Sequence, residues 1–244
     1  MRSLLALLKL TRCSLHLLHG MWTILTRFSS ATHEQRSQHV ADWSKRFLQL
    51  LGVAVKVNGQ PLQKGPLMVV INHVSWLDIL VMLAAQPVCF VSKSEVRHWP
   101  IIGWLATNVG TLYIERTKAR DALRVVHQVA ENLKAGHLIG IFPEGTTSNG
   151  KTVLPFHGNL LQAAISASSP VQPVALRFLE ADGTLSMSPT YVGDDTLLSS
   201  VWRMLRADPV TAQLDFLEPM ESSGMQRREL AERLEKLISA RLAG

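Results

Sequence analysis

Two residues five apart, His73 and Asp78 in INHVSWLDIL (Ile71–Leu80), are of the types that proton transfer needs: an imidazole to take a proton and a carboxylate to orient it. On one continuous helix a five-residue step separates side chains by about 140°. The pair converges only if His73 precedes the helix and Asp78 lies in its first turn. The residues fit that arrangement. LMVVI (Leu67–Ile71) reads as a strand ending near Asn72, Ser75 is a candidate N-cap, and Asp78 is then the third helical residue. Ser75-x-x-Asp78 is also a capping box, which serves stability without chemistry, and His73 can equally be a hydrogen-bonded loop residue. On these residues alone both readings stay open.

A second stretch, FPEGTTSNGKT (Phe142–Thr152), spells G-x-x-x-x-G-K-T from Gly145, the pattern of a phosphate-cradling nucleotide loop. Such a loop needs Lys151 and Thr152 to open a helix whose N–H groups meet phosphate. Pro155 stands four residues after Lys151, where it would remove a helical hydrogen bond and clash with the Lys151 carbonyl, at a cost of about 3 kcal/mol or more. The nucleotide reading is a coincidence of spacing.

Elements that could position these residues alternate along the chain. LMVVI leads into the helical SWLDILVMLAA; VCFVS (Val88–Ser92) leads into a loop with Trp99 and Pro100; TLYIE (Thr111–Glu115) precedes a helix over Ala119–Lys134. HLIGIF (His137–Phe142) meets the loop above, a helix follows near Asn159–Ala167, and VQPVALRF (Val171–Phe178) and TAQLDFLE (Thr211–Glu218) read as further strands. An amphipathic helix over Met225–Leu242 comes last. This order predicts an α/β fold: a single layered domain with a central mixed or largely parallel sheet flanked by helices. If the sheet is parallel here, His73, Arg116 and Glu144 each lie just past a strand's C-terminal end, the edge where open α/β sheets bind ligands. Taken singly, Arg116 also suits a solvated helix start and Glu144 a first-turn carboxylate near a helix dipole.

The 244 residues suffice for one large domain with a short appendage, and at 47% hydrophobic and 18% charged the chain is too polar to span a membrane many times. The first fifty residues hold +5 of the net charge of +6, so the basicity is concentrated there. Within that segment Lys9, Arg12 and Arg27 interrupt every apolar run short of the roughly 18 residues a spanning helix needs. Lys9, Arg12, His16, His19, Thr23 and Arg27 instead draw one polar stripe along a helix whose remaining circumference is mostly apolar. Such a helix suits the interface of an anionic membrane; the competing use is docking on the protein's own core. A nucleic-acid arm would not need so much leucine. The chain thus divides into a basic amphipathic, membrane-associating segment at 1–45 and a catalytic domain at 46–244, with Glu34–Lys45 linking or extending the first helix. Cys13 and Cys89, both in apolar surroundings, do not suggest a disulfide framework, so the simplest reading is a reduced compartment, with the membrane met from its cytoplasmic face.

Four blocks in order, NHVSWLD (Asn72–Asp78), GTLYIER (Gly110–Arg116), FPEGTTS (Phe142–Ser148) and VQPVAL (Val171–Leu176), resemble the glycerolipid acyltransferases, and within them the 1-acyl-sn-glycerol-3-phosphate acyltransferases. The similarity runs from about Leu67 to Leu176, with VSKSEVRHWPIIGWLA (Val91–Ala106) resembling the family's segment between its first two blocks. It implies membrane association, an acyl-CoA or acyl-carrier-protein donor, a lysophospholipid acceptor, and no metal or cofactor. It also implies that His73 is the general base toward the acceptor hydroxyl, with Asp78 orienting it, so that the substrate takes the place of a nucleophilic serine. By the same resemblance Arg116 and the Glu144-Gly145-Thr146 turn hold the acceptor's head, Glu144 orienting a hydroxyl. Lys93 is a further candidate for that anionic site, and Pro173 for the wall near the acyl chain. One position departs. Many relatives read F-P-E-G-T-R-S, whose arginine suits a phosphate, whereas this chain has Thr147. Lysophosphatidate remains the expected acceptor, with Lys151 and Arg116 able to compensate, and lyso-ornithine lipid is the alternative.

Overall fold

The computed structural model describes residues 2–114 and 119–244. One sheet holds β1 (Val53–Asn58), β2 (Leu67–Ile71), β3 (Cys89–Lys93), β4 (Leu112–Ile114), β5 (Leu138–Ile141), β6 (Val171–Leu179) and β7 (Val210–Phe216). Around it lie α1 (Arg2–Arg27), α2 (His33–Leu51), α3 (Leu77–Ala85), α4 (Ile102–Asn108), α5 (Ala119–Lys134), α6 (Leu161–Ala167), α7 (Leu197–Arg206) and α8 (Arg227–Ala243). The strands run β1-β7-β6-β2-β5-β3-β4 across the sheet. All neighbours are parallel except β6 and β7. The expected mixed, largely parallel sheet is present.

Two cores form because strand side chains alternate between faces. β2 sends Leu67, Val69 and Ile71 into one core and Met68 and Val70 into the other; β6 likewise separates Val174, Leu176 and Phe178 from Val171 and Ala175. Burial on both faces is why LMVVI carries no polar residue. Helices α1, α2, α3 and α7 cover the first face, and α5, α6 and α8 the second. At the centre, Gly140 of β5 leaves room for a ring from β3: a Cβ there would stand 2.8 Å from Phe90 Cε1 and 2.7 Å from Val88 Cγ2.

Glu34–Lys45 is neither a linker nor an extension of the first helix but the larger part of α2. A reciprocal cap between Thr32 and Gln35 starts this helix, and Gly52, at φ 86°, ends it. Ala41, Ser44, Phe47, Leu48 and Leu51 form its buried stripe, so no break falls between residues 45 and 46. Helix α1 is oriented opposite to a core-docked amphipathic helix. Ala6, Cys13, Gly20 and Thr23 face inward, while Leu4, Leu5, Leu7, Leu8, Leu15, Leu18, Trp22 and Leu25 are exposed. His16 Nε2 lies 2.9 Å from the Trp43 carbonyl, and Trp43 Nε1 donates to the His16 carbonyl at 3.0 Å, an exchange made possible by Gly20 beside the indole. No described helix is long and apolar enough to cross a membrane.

Candidate active site

Strand β2 ends at Ile71, and Asn72 locks that end to its neighbour: its side chain donates to the Leu176 carbonyl at 2.9 Å and accepts the Leu176 N–H at 2.7 Å. His73 follows, 18% exposed at its side chain, and Asp78, wholly buried, sits in the first turn of α3. His73 Nδ1 lies 2.8 Å from Asp78 Oδ2, and the same oxygen accepts the N–H groups of Val74 (2.6 Å) and Ser75 (2.8 Å). Ser75 Oγ in turn accepts the Leu77 N–H at 3.3 Å. The expected capping box is only half made: Asp78 Oδ2 accepts the Ser75 N–H, but the Asp78 N–H bonds the Ser75 carbonyl rather than its hydroxyl, and the N-cap of α3 is Trp76, with no side-chain cap. The bonds that do form aim the carboxylate at the imidazole. An oxygen already taking two N–H donors can only accept from the ring, so Nδ1 carries the hydrogen and Nε2 keeps a lone pair.

His73 is fixed on a third side by ring packing. Phe142 stacks on it with centroids 3.9 Å apart, and Phe90 stacks beneath Phe142 at 5.2 Å. A flat ring packed against the imidazole face restricts its rotation about the bond to the backbone.

Glu144 arrives from β5 through a turn in which Gly145 N–H bonds the Phe142 carbonyl at 3.2 Å, with Pro143 at the corner and Gly145 at φ 72°. Its carboxylate does not face solvent. At 3% exposure it accepts the His73 N–H at 2.6 Å through Oε1 and the Leu154 N–H at 2.9 Å through Oε2. Burial pushes its pKa up to about 7, the two N–H bonds pull it back, and the Asp78 and Glu235 charges raise it further. Glu144 is thus tied to the backbone beneath His73, where it holds the loop, rather than turned toward a substrate hydroxyl. Thr146 is exposed beside it.

Other expected residues are scattered. Lys93, exposed, ends β3 on the same edge of the sheet. Arg116 lies outside the described residues. Pro173 is buried within β6 opposite Val70, one residue outside the β6–β7 ladder, so it belongs to the sheet interior and not to a wall at the edge. After Lys151 there is no helix for a nucleotide loop to open. Cys89 sits at the opposite end of β3, bonded to the Gly110 carbonyl, and burial pushes its thiol up to about 11. A cleft of about 270 Å³ opens at that opposite edge, between Phe28, Arg36, Val40 and Leu138, and contains none of the residues named for chemistry.

Sequence reasoning missed one set of residues around this site. The Thr147 hydroxyl donates to the Tyr191 carbonyl, and the Tyr191 N–H donates to the Val74 carbonyl at 3.1 Å, which joins the loop after β6 to both substrate-edge loops. Arg203 of α7 holds that loop through Asp195, at 3.2 and 2.9 Å, and through the carbonyls of Ser188 and Thr190. Trp76 Nε1 adds a 3.1 Å bond to Ser200 of the same helix. Helix α7 itself, opened by a reciprocal cap between Thr196 and Ser199, was not read from the sequence.

Residues 54–177 match the Acyltransferase family. The chain is 40% identical over 202 residues to the lyso-ornithine lipid O-acyltransferase of Pseudomonas aeruginosa, covering 83% of this chain and 77% of that protein. It is 34% identical over 213 residues to the 1-acyl-sn-glycerol-3-phosphate acyltransferase of Neisseria meningitidis serogroup B, covering 86% and 83%. Its fold is similar to the crystal structure of the 1-acyl-sn-glycerophosphate (LPA) acyltransferase, PlsC, from Thermotoga maritima. The TM-score is 0.74 at 22% identity, over 100% of this chain and 97% of that one.

Proposed function

We propose that this chain, which belongs to the acyltransferase family, transfers a fatty acyl group from an acyl-CoA or acyl-carrier-protein thioester to the free hydroxyl of lysophosphatidate, giving phosphatidate. The observation that carries the reading is the partly exposed His73 ring, with Nδ1 taken by Asp78 and no nucleophilic side chain bonded to it. The Ser148 N–H bonds the His73 carbonyl at 2.8 Å, but among the described residues no serine or cysteine side chain is hydrogen-bonded to the His73 ring, and Cys89, its thiol raised by burial, sits at the opposite end of β3. The attacking oxygen therefore comes from the acceptor. As that oxygen adds to the thioester carbonyl, its proton passes to Nε2, and Asp78 stabilises the imidazolium. Collapse of the tetrahedral intermediate breaks the C–S bond, and the same proton returns from Nε2 to the departing sulfur. General-base catalysis of this kind contributes about 10²- to 10⁴-fold; positioning and oxyanion stabilisation supply the remainder.

An anionic head is supported by Lys93 on the same edge. One observation favours a second acceptor, lyso-ornithine lipid. Position 147 offers no cation, and its hydroxyl is already committed to the Tyr191 carbonyl. Membrane association belongs to the same proposal: an exposed row of leucines on α1 is the kind of large apolar patch that marks a membrane contact, and the surrounding basic residues suit an anionic surface. Membranes carrying wild type or His73→Ala, supplied with labelled acyl donor and each acceptor separately, test the reading. Labelled phosphatidate from wild type alone supports it. Product from lyso-ornithine lipid only moves the acceptor, and equal product from both proteins would sink the mechanism.

A further inference from the structure

Between β3 and α4 the chain builds a rigid apolar tip at the His73 edge of the sheet. A 3-10 turn over Ser94–His98 leads to Trp99, Pro100, Ile101 and Ile102, of which Trp99 is 36%, Ile101 42% and Ile102 37% exposed. Ile101 adopts φ 64° and ψ −57°, and the Ile102 N–H donates to the Pro100 carbonyl at 2.6 Å. That is a γ-turn of the rare, strained hand, at a β-branched residue for which positive φ is a genuine outlier. The tip is held from behind. Gly103 N–H bonds the Trp99 carbonyl at 2.9 Å, and a Cβ on Gly103 would stand 2.3 Å from the Arg97 carbonyl, so α4 is seated directly on the 3-10 turn. Lys93, Arg97 and His98 are exposed around it, with Glu95 the one acidic residue of the turn. Helix α4 continues into contact with α1.

We propose that Trp99–Ile102 is a second bilayer contact, a preformed wedge that enters the interface of an anionic membrane beside the catalytic edge. The occupant follows from the chemistry: an indole and two isoleucines displayed outward suit the region between headgroups and acyl chains, and the cations beside them match anionic headgroups. Strain retained at Ile101 serves to point that side chain away from the fold. With α1 as one point of attachment and the tip as the other, the His73 edge faces the lipid from which an acceptor emerges. The inference rests on the membrane association proposed above.

The test uses the full chain and flotation with vesicles of phosphatidylglycerol and phosphatidylcholine in equal parts. Ile101→Gly relieves the backbone while removing the side chain, so its melting temperature stays level or rises while vesicle partitioning falls; Trp99→Ser/Ile101→Gly lowers partitioning roughly ten-fold. Turnover of a short-chain acceptor dissolved as monomers is unchanged in both. Leu15→Asp/Leu18→Asp on α1 is the reference. If wild type does not float, the membrane reading falls and this inference with it. If wild type floats, the α1 variant releases it and the tip variants do not, the tip inference alone is overturned. A tip variant that alters the oligomeric state with partitioning unchanged would also overturn it, in favour of a protein contact.

Discussion

Glu144→Gln separates two consequences of burying a carboxylate under His73. At all pH values the amide can accept only one of the His73 and Leu154 N–H groups, and turns its own donor toward the other. An offset of about 1–3 kcal/mol follows from the one unmet bond. The second effect depends on pH. In the unfolded chain Glu144 titrates near 4.5, and in the fold near 7, so across that window the native state binds the extra proton and stability falls as pH rises. At about 1.4 kcal/mol per unit of pH the wild type loses about 3 kcal/mol between pH 4.5 and 7 that the glutamine variant does not. Urea unfolding followed by tryptophan fluorescence from pH 4 to 9 reads the difference directly, with Trp76 reporting near the site. The two curves should diverge across the window and run parallel above it. Curves parallel throughout, or a wild type gaining stability relative to Glu144→Gln as pH rises, would refute the assignment of Glu144 as a buried carboxylate held against its desolvation.

His73→Ala should lower acyl transfer roughly 10²- to 10⁴-fold while leaving vesicle flotation intact, as initial rates and flotation run in parallel would reveal. Asp78→Asn keeps an oxygen for the Val74, Ser75 and His73 donors but removes the charge behind the imidazolium; kcat should fall about one to two orders of magnitude with an unchanged circular dichroism spectrum. Thr147→Val leaves the Tyr191 carbonyl without its donor and should raise KM for the acceptor more than it lowers kcat. Thr147→Arg should shift the ratio of kcat/KM toward lysophosphatidate over lyso-ornithine lipid by roughly ten-fold or more, since a guanidinium fork matches a phosphomonoester; no shift would remove position 147 from head selection.

Much of this geometry was legible because single residues carried local signals. LMVVI is apolar without interruption because both its faces are buried, and VQPVALRF is broken only by Gln172 and Arg177. Ser75-x-x-Asp78 placed Asp78 in the first turn of α3, within reach of His73, although the helix starts at Leu77, one residue later than that motif implies. Helix α2 was hidden because its first three turns show mostly polar residues; the buried stripe of Ala41, Ser44, Leu48 and Leu51 has the right spacing but starts with two small residues that carry little hydropathy. Glu144 was read as a substrate contact because sequence order cannot reveal which way a carboxylate turns, and here two backbone donors from distant segments decided it. The bonds from Arg203 to Asp195 and to the carbonyls of Ser188 and Thr190 depend on how the loop after β6 folds back against α7, which no local pattern encodes.

The column of rings from Phe90 through Phe142 to His73 rests, at its foot, on a hydrogen atom. Gly140 is the only residue type that lets Phe90 lie where it does, because even a methyl would approach that ring to 2.8 Å. A substitution there would lift Phe90, and the stack would carry the displacement to the imidazole nitrogen, where tenths of an ångström matter to an attacking oxygen. The middle of the sheet therefore acts as a spacer of defined thickness for the reacting nitrogen, and catalytic rate becomes sensitive to a position that touches neither substrate.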